Sequence, residues 1–495
     1  MTCAGILQTK ELLGRGQLSV TDHIQSVLTT IREIDVELGA FLAVADDDAL
    51  RAAEAADARI RRRGPAAWRG QPLLGVPVSV KDLIATRDLP TTRGSLVENR
   101  RARVDAPAVA RLRAAGAIIV GKTTTSEYGW SASTGSRVAA ATRNPWARGR
   151  SAGGSSGGAA AAVAAGLCSV ALGTDGAGSI RIPAAFCGVV GYKPSFGRIP
   201  YVPACADRLA HLGPLARSVA DVVELDAVLA GPHPDDPDSD TGWRERRRGR
   251  PRERSRDRPR GRSVLRIGWI EFPGTSADVR KVSERAWSVL AGQGHRVEPI
   301  DVPFSDPYPA LVDIVAAAEA AGTAQEDEAR CDPGRMAIVH YGRSLSGAAV
   351  MRAEEARLAL RTTLRAVMDR YDLLAMATVP IEPFDADAIG PPWAADPGNL
   401  LWLAWSPACY PFNFTGQPAL SLPAGLTPAG LPVGVQLVGS VGADELVLRV
   451  AHRVEAELGT VSAPSDPAKR GDNQPCTHAR GPAATPRAAW DAQPS

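Results

Sequence analysis

Three stretches of the sequence carry residue types that could do acyl chemistry. The first is Ala152-Gly-Gly-Ser-Ser-Gly-Gly-Ala159, four glycines around two serines directly before an Ala-rich run. Small side chains and exposed N–H groups at a helix start favour anions or developing negative charge. The same composition also reads as a flexible linker, but a linker would not run at once into an Ala-rich helix and a buried strand. The second is Leu172-Gly-Thr-Asp-Gly-Ala-Gly-Ser-Ile-Arg-Ile-Pro183, a strand end opening into a Gly-rich loop with Ser179 at its tip. A nucleophilic serine needs close backbone approach and N–H donors aimed at the oxyanion. Gly176, Ala177, Gly178 and Ser179 offer both; the plain alternative is a tight turn with a capping serine. The third is Lys81, at the end of the run Val76–Val80. Serine needs a base, and a buried lysine can lose its proton where an arginine cannot. The alternative is an exposed lysine at a strand end. The chain holds six lysines against 51 arginines, so a lysine entering the interior asks for a reason.

The elements that would position these residues alternate. Ser19-Val-Thr-Asp22 reads as an N-cap before apolar Ile24, Val27, Leu28 and Ile31 at helical spacing. Asp46–Arg63 is a second helix. Leu74–Val80 is a β-branched run bounded by Gly and Pro, hence a strand. A helix (Ala108–Ala115), a strand (Ala117–Val120), a helix (Ser156–Gly166) and a strand (Ser169–Leu172) follow. Later come strands at Leu265–Ile270, His295–Val302 and Leu373–Thr378, helices at Val279–Leu290, Tyr308–Ala329 and Gly347–Tyr371, and two strands with a helix across Ala419–Val450. Alternation of this kind predicts an α/β fold around a largely buried sheet.

Composition narrows the setting. Of 495 residues, 44% are hydrophobic and 22% charged, which suits a globular chain and excludes collagen-like and wholly disordered classes. No apolar run approaches the length of a membrane span, and Met1–Lys10 lacks the pattern of a secretory signal. The seven cysteines form no C-x-x-C pair, arguing against a zinc site or a disulfide framework. A cytoplasmic setting fits these features. The net charge of +3 is dominated by one segment: Arg244–Arg262 holds 11 arginines against three acids, and the rest of the chain carries −5. Pro232–Ser263 and Ala463–Ser495 are too poor in large apolar residues to offset chain entropy and are expected to be disordered.

Together the three stretches resemble the amidase signature family of serine hydrolases. The resemblance rests on Gly75-Val-Pro-Val-Ser-Val-Lys-Asp82, Val120-Gly-Lys-Thr123, Asn144-Pro-Trp146, Gly153-Gly-Ser-Ser-Gly-Gly158, Gly173-Thr-Asp175, Gly178-Ser-Ile-Arg-Ile-Pro183, Phe186-Cys-Gly-Val-Val-Gly-Tyr-Lys-Pro194, Tyr410-Pro-Phe-Asn-Phe-Thr-Gly-Gln-Pro418 and Gly430-Leu-Pro-Val-Gly-Val-Gln436. It spans about Ser19 to Leu458. It implies a single domain over 19–458 with a central mixed sheet covered by helices on both faces, an N-terminal helical segment at 1–18, an insertion at 232–263 and a tail at 459–495. It also implies hydrolysis of a carboxylic amide by a Ser–Ser–Lys relay. Lys81 falls on the family's catalytic lysine, Ser155 on its bridging serine, which follows a cis peptide bond, and Ser179 on its nucleophile. Backbone N–H groups of Gly176, Ala177, Gly178 and Ser179 would form the oxyanion hole. No metal or cofactor is needed, and the partner is a small-molecule amide, with a homodimer compatible.

Departures and alternatives bear on this reading. Ala177 stands where the family usually has the first of two glycines, and a methyl there restricts a positive φ. The glutaminase (A) subunit of a tRNA-dependent amidotransferase is the alternative within the family; it usually has Gln where Ile182 stands and a Tyr-rich Gly-Tyr-Tyr segment not found near Asp332–Ser346. An acyl-transfer biosynthetic enzyme fits the same relay. A non-catalytic scaffold would use the Arg run to hold polyanions, including nucleic acid, although such runs are more often solvated loops. Gly116–Thr123 fits the spacing of a phosphate-binding loop, but a strand lies between its glycines where a pliable loop is required. Trp130, Trp402, Trp405 and Tyr410 are candidates for lining a substrate funnel, although an aromatic residue is more often core. The scattered histidines are assigned to no triad.

Overall fold

The computed structural model describes residues 3–97, 100–239, 264–459 and 461. At its centre is an eleven-stranded mixed sheet. In chain order its strands are β1 (Phe41–Val44), β2 (Pro77–Lys81), β3 (Ile118–Thr123), β4 (Val170–Asp175), β5 (Val190–Lys193), β6 (His211–Ala216), β7 (Arg266–Ile270), β8 (Arg296–Ile300), β9 (Leu373–Ala377), β10 (Ala419–Leu426) and β11 (Pro432–Gly439). Across the sheet they run β1-β3-β2-β4-β6-β5-β10-β11-β9-β7-β8. Strands β3, β2 and β4 are mutually parallel, as are β9, β7 and β8. The strands between these two groups pair antiparallel.

The sheet is buried on both faces, and period-2 alternation shows it. Val170 and Leu172 join one apolar cluster while Ala171 joins another. Leu373 and Ala375 face the first cluster; Leu374 and Met376 face a third. The first face is covered by helices Pro107–Ala114, Val219–Leu229, Ala277–Gly292 and Asp444–Leu458. The opposite face carries Val20–Leu38, Asp46–Arg63, Gly157–Ala164 and Arg181–Cys187 beside the first strands, and Tyr308–Ala321, Pro333–Ser344 and Gly347–Arg370 beside the last. The predicted α/β class with a central mixed sheet and helices on both faces is what the chain forms.

Several expected boundaries change. Ser19 caps its helix, its side chain accepting from the Asp22 N–H. The N-terminal segment holds the helix Ile6–Gly14, which buries Ile6 fully, and the Asp221 carboxylate accepts the Ile6 N–H at 2.9 Å. The helix expected over Tyr308–Ala329 stops at Ala321, and a 3-10 turn spans Gln325–Arg330 after Gly322. Residues 232–239, expected to be disordered, are packed: Asp236 and Ser239 are buried, and Asp236 accepts the Tyr201 N–H. Local side-chain-to-backbone bonds replace a hydrophobic core there. The rest of the insertion, 240–263, and nearly all of the tail lie outside the described residues. Among the described residues no helix is long and apolar enough to cross a membrane.

Candidate active site

Because β2 and β4 are parallel neighbours, their carboxyl ends open on the same side of the sheet. That is the usual place for a site in a parallel α/β arrangement. Lys81 ends β2, and Thr174 and Asp175 end β4. Lys81 is fully buried; its Nζ lies 2.7 Å from Ser155 Oγ and 2.8 Å from Thr174 Oγ1. Burial holds its pKa well below the usual ammonium range, against the opposing pull of the Asp175 charge. Ser155 follows a cis peptide bond from Gly154, as the resemblance implied. Glycine is required at 154, since a Cβ there would stand 2.1 Å from the Ser133 carbonyl oxygen.

Ser179 sits in the loop between β4 and the helix Arg181–Cys187. The Asp175 carboxylate organises that loop. It accepts N–H bonds from Gly178 (2.7 Å) and Ile180 (3.2 Å) and a two-pronged ion pair from Arg181, both prongs at 2.9 Å. Arg181 reaches on to the Cys409 carbonyl and to the side-chain oxygens of Gln436 and Asn413, while Asn413 donates back to Asp175. All four polar side chains are buried. Burial alone would raise the Asp175 pKa; the Arg181 charge reverses this and holds the carboxyl well below its usual range. Ser156 ties this loop to the first: its N–H donates to Ser179 O at 3.1 Å and its hydroxyl to Thr174 O at 3.0 Å.

The Gly178 N–H is thus spent on Asp175, which corrects its expected place in an oxyanion hole. The N–H groups of Gly176, Ala177 and Ser179 meet no acceptor among the described residues. The Ala177 methyl brings no backbone strain either, because the positive φ in this loop belongs to Gly178 (123°) and not to Ala177.

Ser155, Ser179 and Thr174 line one cavity of about 370 Å³, together with Gly176, Ala177, Trp130 and the loop 201–207. Among the described residues no hydrogen bond joins the Ser155 and Ser179 hydroxyls; both face this space. Of the four aromatic candidates only Trp130 borders it. Trp402, Trp405 and Tyr410 are core residues: Trp402 donates to the Trp130 carbonyl, Trp405 to the Trp402 carbonyl while stacked on Phe186, and Tyr410 to Asp306. The walls instead include Asp207, Glu319 and Arg335, which carried no signal in the sequence. Thr174, Asp175, Arg181 and Asn413 stood inside quoted motifs, and a charged pair within buried, Gly-rich sequence was the cue to their role.

Other sequence features resolve as structural. Lys122, in the stretch with phosphate-loop spacing, is a fully buried strand residue. Asn413, in an Asn-Phe-Thr sequence, is 1% exposed. His211 faces the Leu209 carbonyl at 2.7 Å. No group of three or more metal-ligating side chains exists among the described residues.

This fold and site define the class of the protein. The family model described as Amidase matches residues 22–448, and the chain belongs to that family. Among curated proteins it is similar to the Glutamyl-tRNA(Gln) amidotransferase (A) subunit of Anaeromyxobacter dehalogenans (strain 2CP-C), 36% identical over 91% of this chain and 95% of that one. Among solved structures it is similar to a 6-aminohexanoate cyclic dimer hydrolase complexed with substrate, with a TM-score of 0.79, 29% identity and coverage of 92% and 97% of the two chains. It is also similar to the Glutamyl-tRNA(Gln) amidotransferase (A) subunit of Thermotoga maritima, with a TM-score of 0.70, 28% identity and coverage of 89% and 93%.

Proposed function

We propose that the chain cleaves the C–N bond of a carboxylic amide through an acyl-enzyme on Ser179. The observation that carries this is the buried Lys81, bonded to Ser155 in the cavity that Ser179 also lines. Neutral Lys81 accepts the Ser155 proton, and Ser155 takes the proton of Ser179 as its Oγ attacks the carbonyl carbon. Hydrogen bonds of this kind are commonly long in an empty site and tighten around substrate. The oxyanion is stabilised by the N–H groups of Gly176, Ala177 and Ser179. The relay then returns a proton to the leaving nitrogen, the C–N bond breaks, and water releases the acid from the acyl-serine.

Two finer readings share this chemistry. A free-standing amidase is the first reading, which the curated relatives back less well than the second. Its support is the fit to the cyclic dimer hydrolase, closer in TM-score than the fit to the amidotransferase chain, and Ile182 in place of the Gln usual in that chain. The second reading, the glutaminase (A) subunit of an amidotransferase, working within a larger assembly, has the sequence relatives behind it.

Intact-mass analysis after exposure to a fluorophosphonate, followed by peptide mapping, tests the common chemistry. An adduct on Ser179 that is absent in Ser179→Ala is expected, and no adduct on folded protein sinks it. Ammonia release from glutamine, set beside release from simple carboxamides, separates the two readings: preferential release from glutamine favours the amidotransferase.

A further inference from the structure

The charges on the cavity wall are unevenly satisfied. Arg335 is balanced on several sides: it meets Glu319 at 2.6 Å, Glu127 at 3.6 Å and Thr323 Oγ1 at 2.7 Å, and lies over the Tyr128 ring at 4.4 Å. Asp207 is not balanced. Its carboxylate accepts one hydrogen bond, from the Leu209 N–H to Oδ1 at 3.0 Å, and makes no ion pair among the described residues. The neighbouring guanidiniums do not bond the carboxylate, although the Arg357 charge acts on it. Arg357 donates to the backbone carbonyls of Asp207 and Arg208, and Arg208 pairs with Asp238. Burial raises the Asp207 pKa against the opposing pull of the Leu209 N–H and the Arg357 charge; burial also raises that of Glu319, with the Asp207 charge adding to it. A cavity-wall carboxylate that no guanidinium bonds is stabilised further by a cation that enters with the ligand.

We propose that Asp207 is the specificity residue of the cavity and holds a cationic amino group on the non-reacting part of the amide substrate. This rests on the amide-cleaving role of Ser179. Arg93 borders the same cavity, so an anionic substrate is the alternative that a test must expose.

The test compares kcat/KM of the full-length protein for hexanamide, 6-aminohexanamide and the monoamide of adipic acid. The amine is expected to be favoured over hexanamide by about tenfold or more. Asp207→Asn is expected to bring that ratio near one through KM, with its melting temperature checked in parallel. A second readout needs no turnover: hexylammonium should protect Ser179 from fluorophosphonate in the wild type and not in Asp207→Asn. A flat wild-type ratio, preference for the carboxylate, a ratio unmoved by Asp207→Asn, or absent protection each overturns the proposal. Failure of Ser179 to label at all instead overturns the reading it rests on, so the two failures are distinct.

Discussion

Two buried lysines on neighbouring parallel strands show how the same residue type serves two ends. Val80 of β2 pairs in register with Lys122 of β3, and strand alternation then sends Lys81 to the opposite face from Lys122. Lys122 finds an anion, Asp82 at 3.3 Å, along with the Ile84 carbonyl at 2.8 Å and Thr91 Oγ1 at 2.7 Å. Burial lowers its pKa, but the Asp82 charge limits the fall to about 8. Lys81 finds only hydroxyls, and burial carries its pKa well below the ordinary value. A carboxylate partner favours a lysine as a structural cation, whereas on the proposed mechanism the hydroxyl partners of Lys81 let it serve as the base. The third buried lysine, Lys193, donates to the Gln417 and Pro194 carbonyls, which carry no proton for a base to take.

The largest expected effect breaks this comparison directly. Lys81→Met should lower kcat/KM by about 10²–10⁴-fold, the usual worth of a general base, and leave the melting temperature near wild type. Lys122→Met should leave Asp82 buried and uncompensated, at a cost of about 3–5 kcal/mol, while the folded fraction still labels at Ser179. If Lys122→Met abolishes labelling in folded protein, the division of roles is wrong. The pH–rate profile sharpens the same point. Protonation removes the base, so kcat/KM should rise with pH through the lowered Lys81 pKa and level off below the free-lysine value of about 10.4. A rate that falls over this range contradicts a lysine base.

A smaller effect is expected at Thr174, the second hydroxyl on Lys81. Thr174→Val leaves an Nζ donor without a partner, and a loss of about tenfold in kcat is expected, with recovery in Thr174→Ser. Equal loss in both variants would mean that Thr174 acts through packing alone. The smallest effect belongs to Ala177→Gly. Since Ala177 is not at positive φ and lines the cavity, the change should alter kcat/KM for small acyl groups by no more than about threefold. Gains should appear for bulkier ones, measured across an acyl-length series. A large gain for every substrate would show that the methyl distorts the oxyanion N–H groups after all.

Much of the fold was legible because the strands are short β-branched runs punctuated by Gly and Pro. Strands β2, β3, β4, β7, β9, β10 and β11 fall within a few residues of their expected positions. Strands β1, β5 and β6 lie outside the predicted set. Val190-Gly-Tyr-Lys193 and His211–Ala216 contain Gly, Pro or charge, and they are strands because neighbours on both sides complete their hydrogen bonds. Residues 232–239 depart from expectation for a related reason: composition predicts disorder, but Asp and Ser side chains bond the backbone locally and reach Tyr201. Of the aromatic candidates, Trp402, Trp405 and Tyr410 follow the commoner alternative, with their polar atoms satisfied inside the core.

By itself the sequence determined the family and the mixed α/β class, and it singled out Lys81, Ser155 and Ser179 as candidates, because these depend on motifs whose residues lie close in the chain. The tertiary structure decided what depends on distant segments meeting. It bound Asp175 to Asn413 across 238 positions of the chain, and walled the cavity with Asp207, Glu319 and Arg335. Whether a lysine is a base or a cation depends on which partners surround it once water is excluded, and those partners come from strands and loops that only folding brings together.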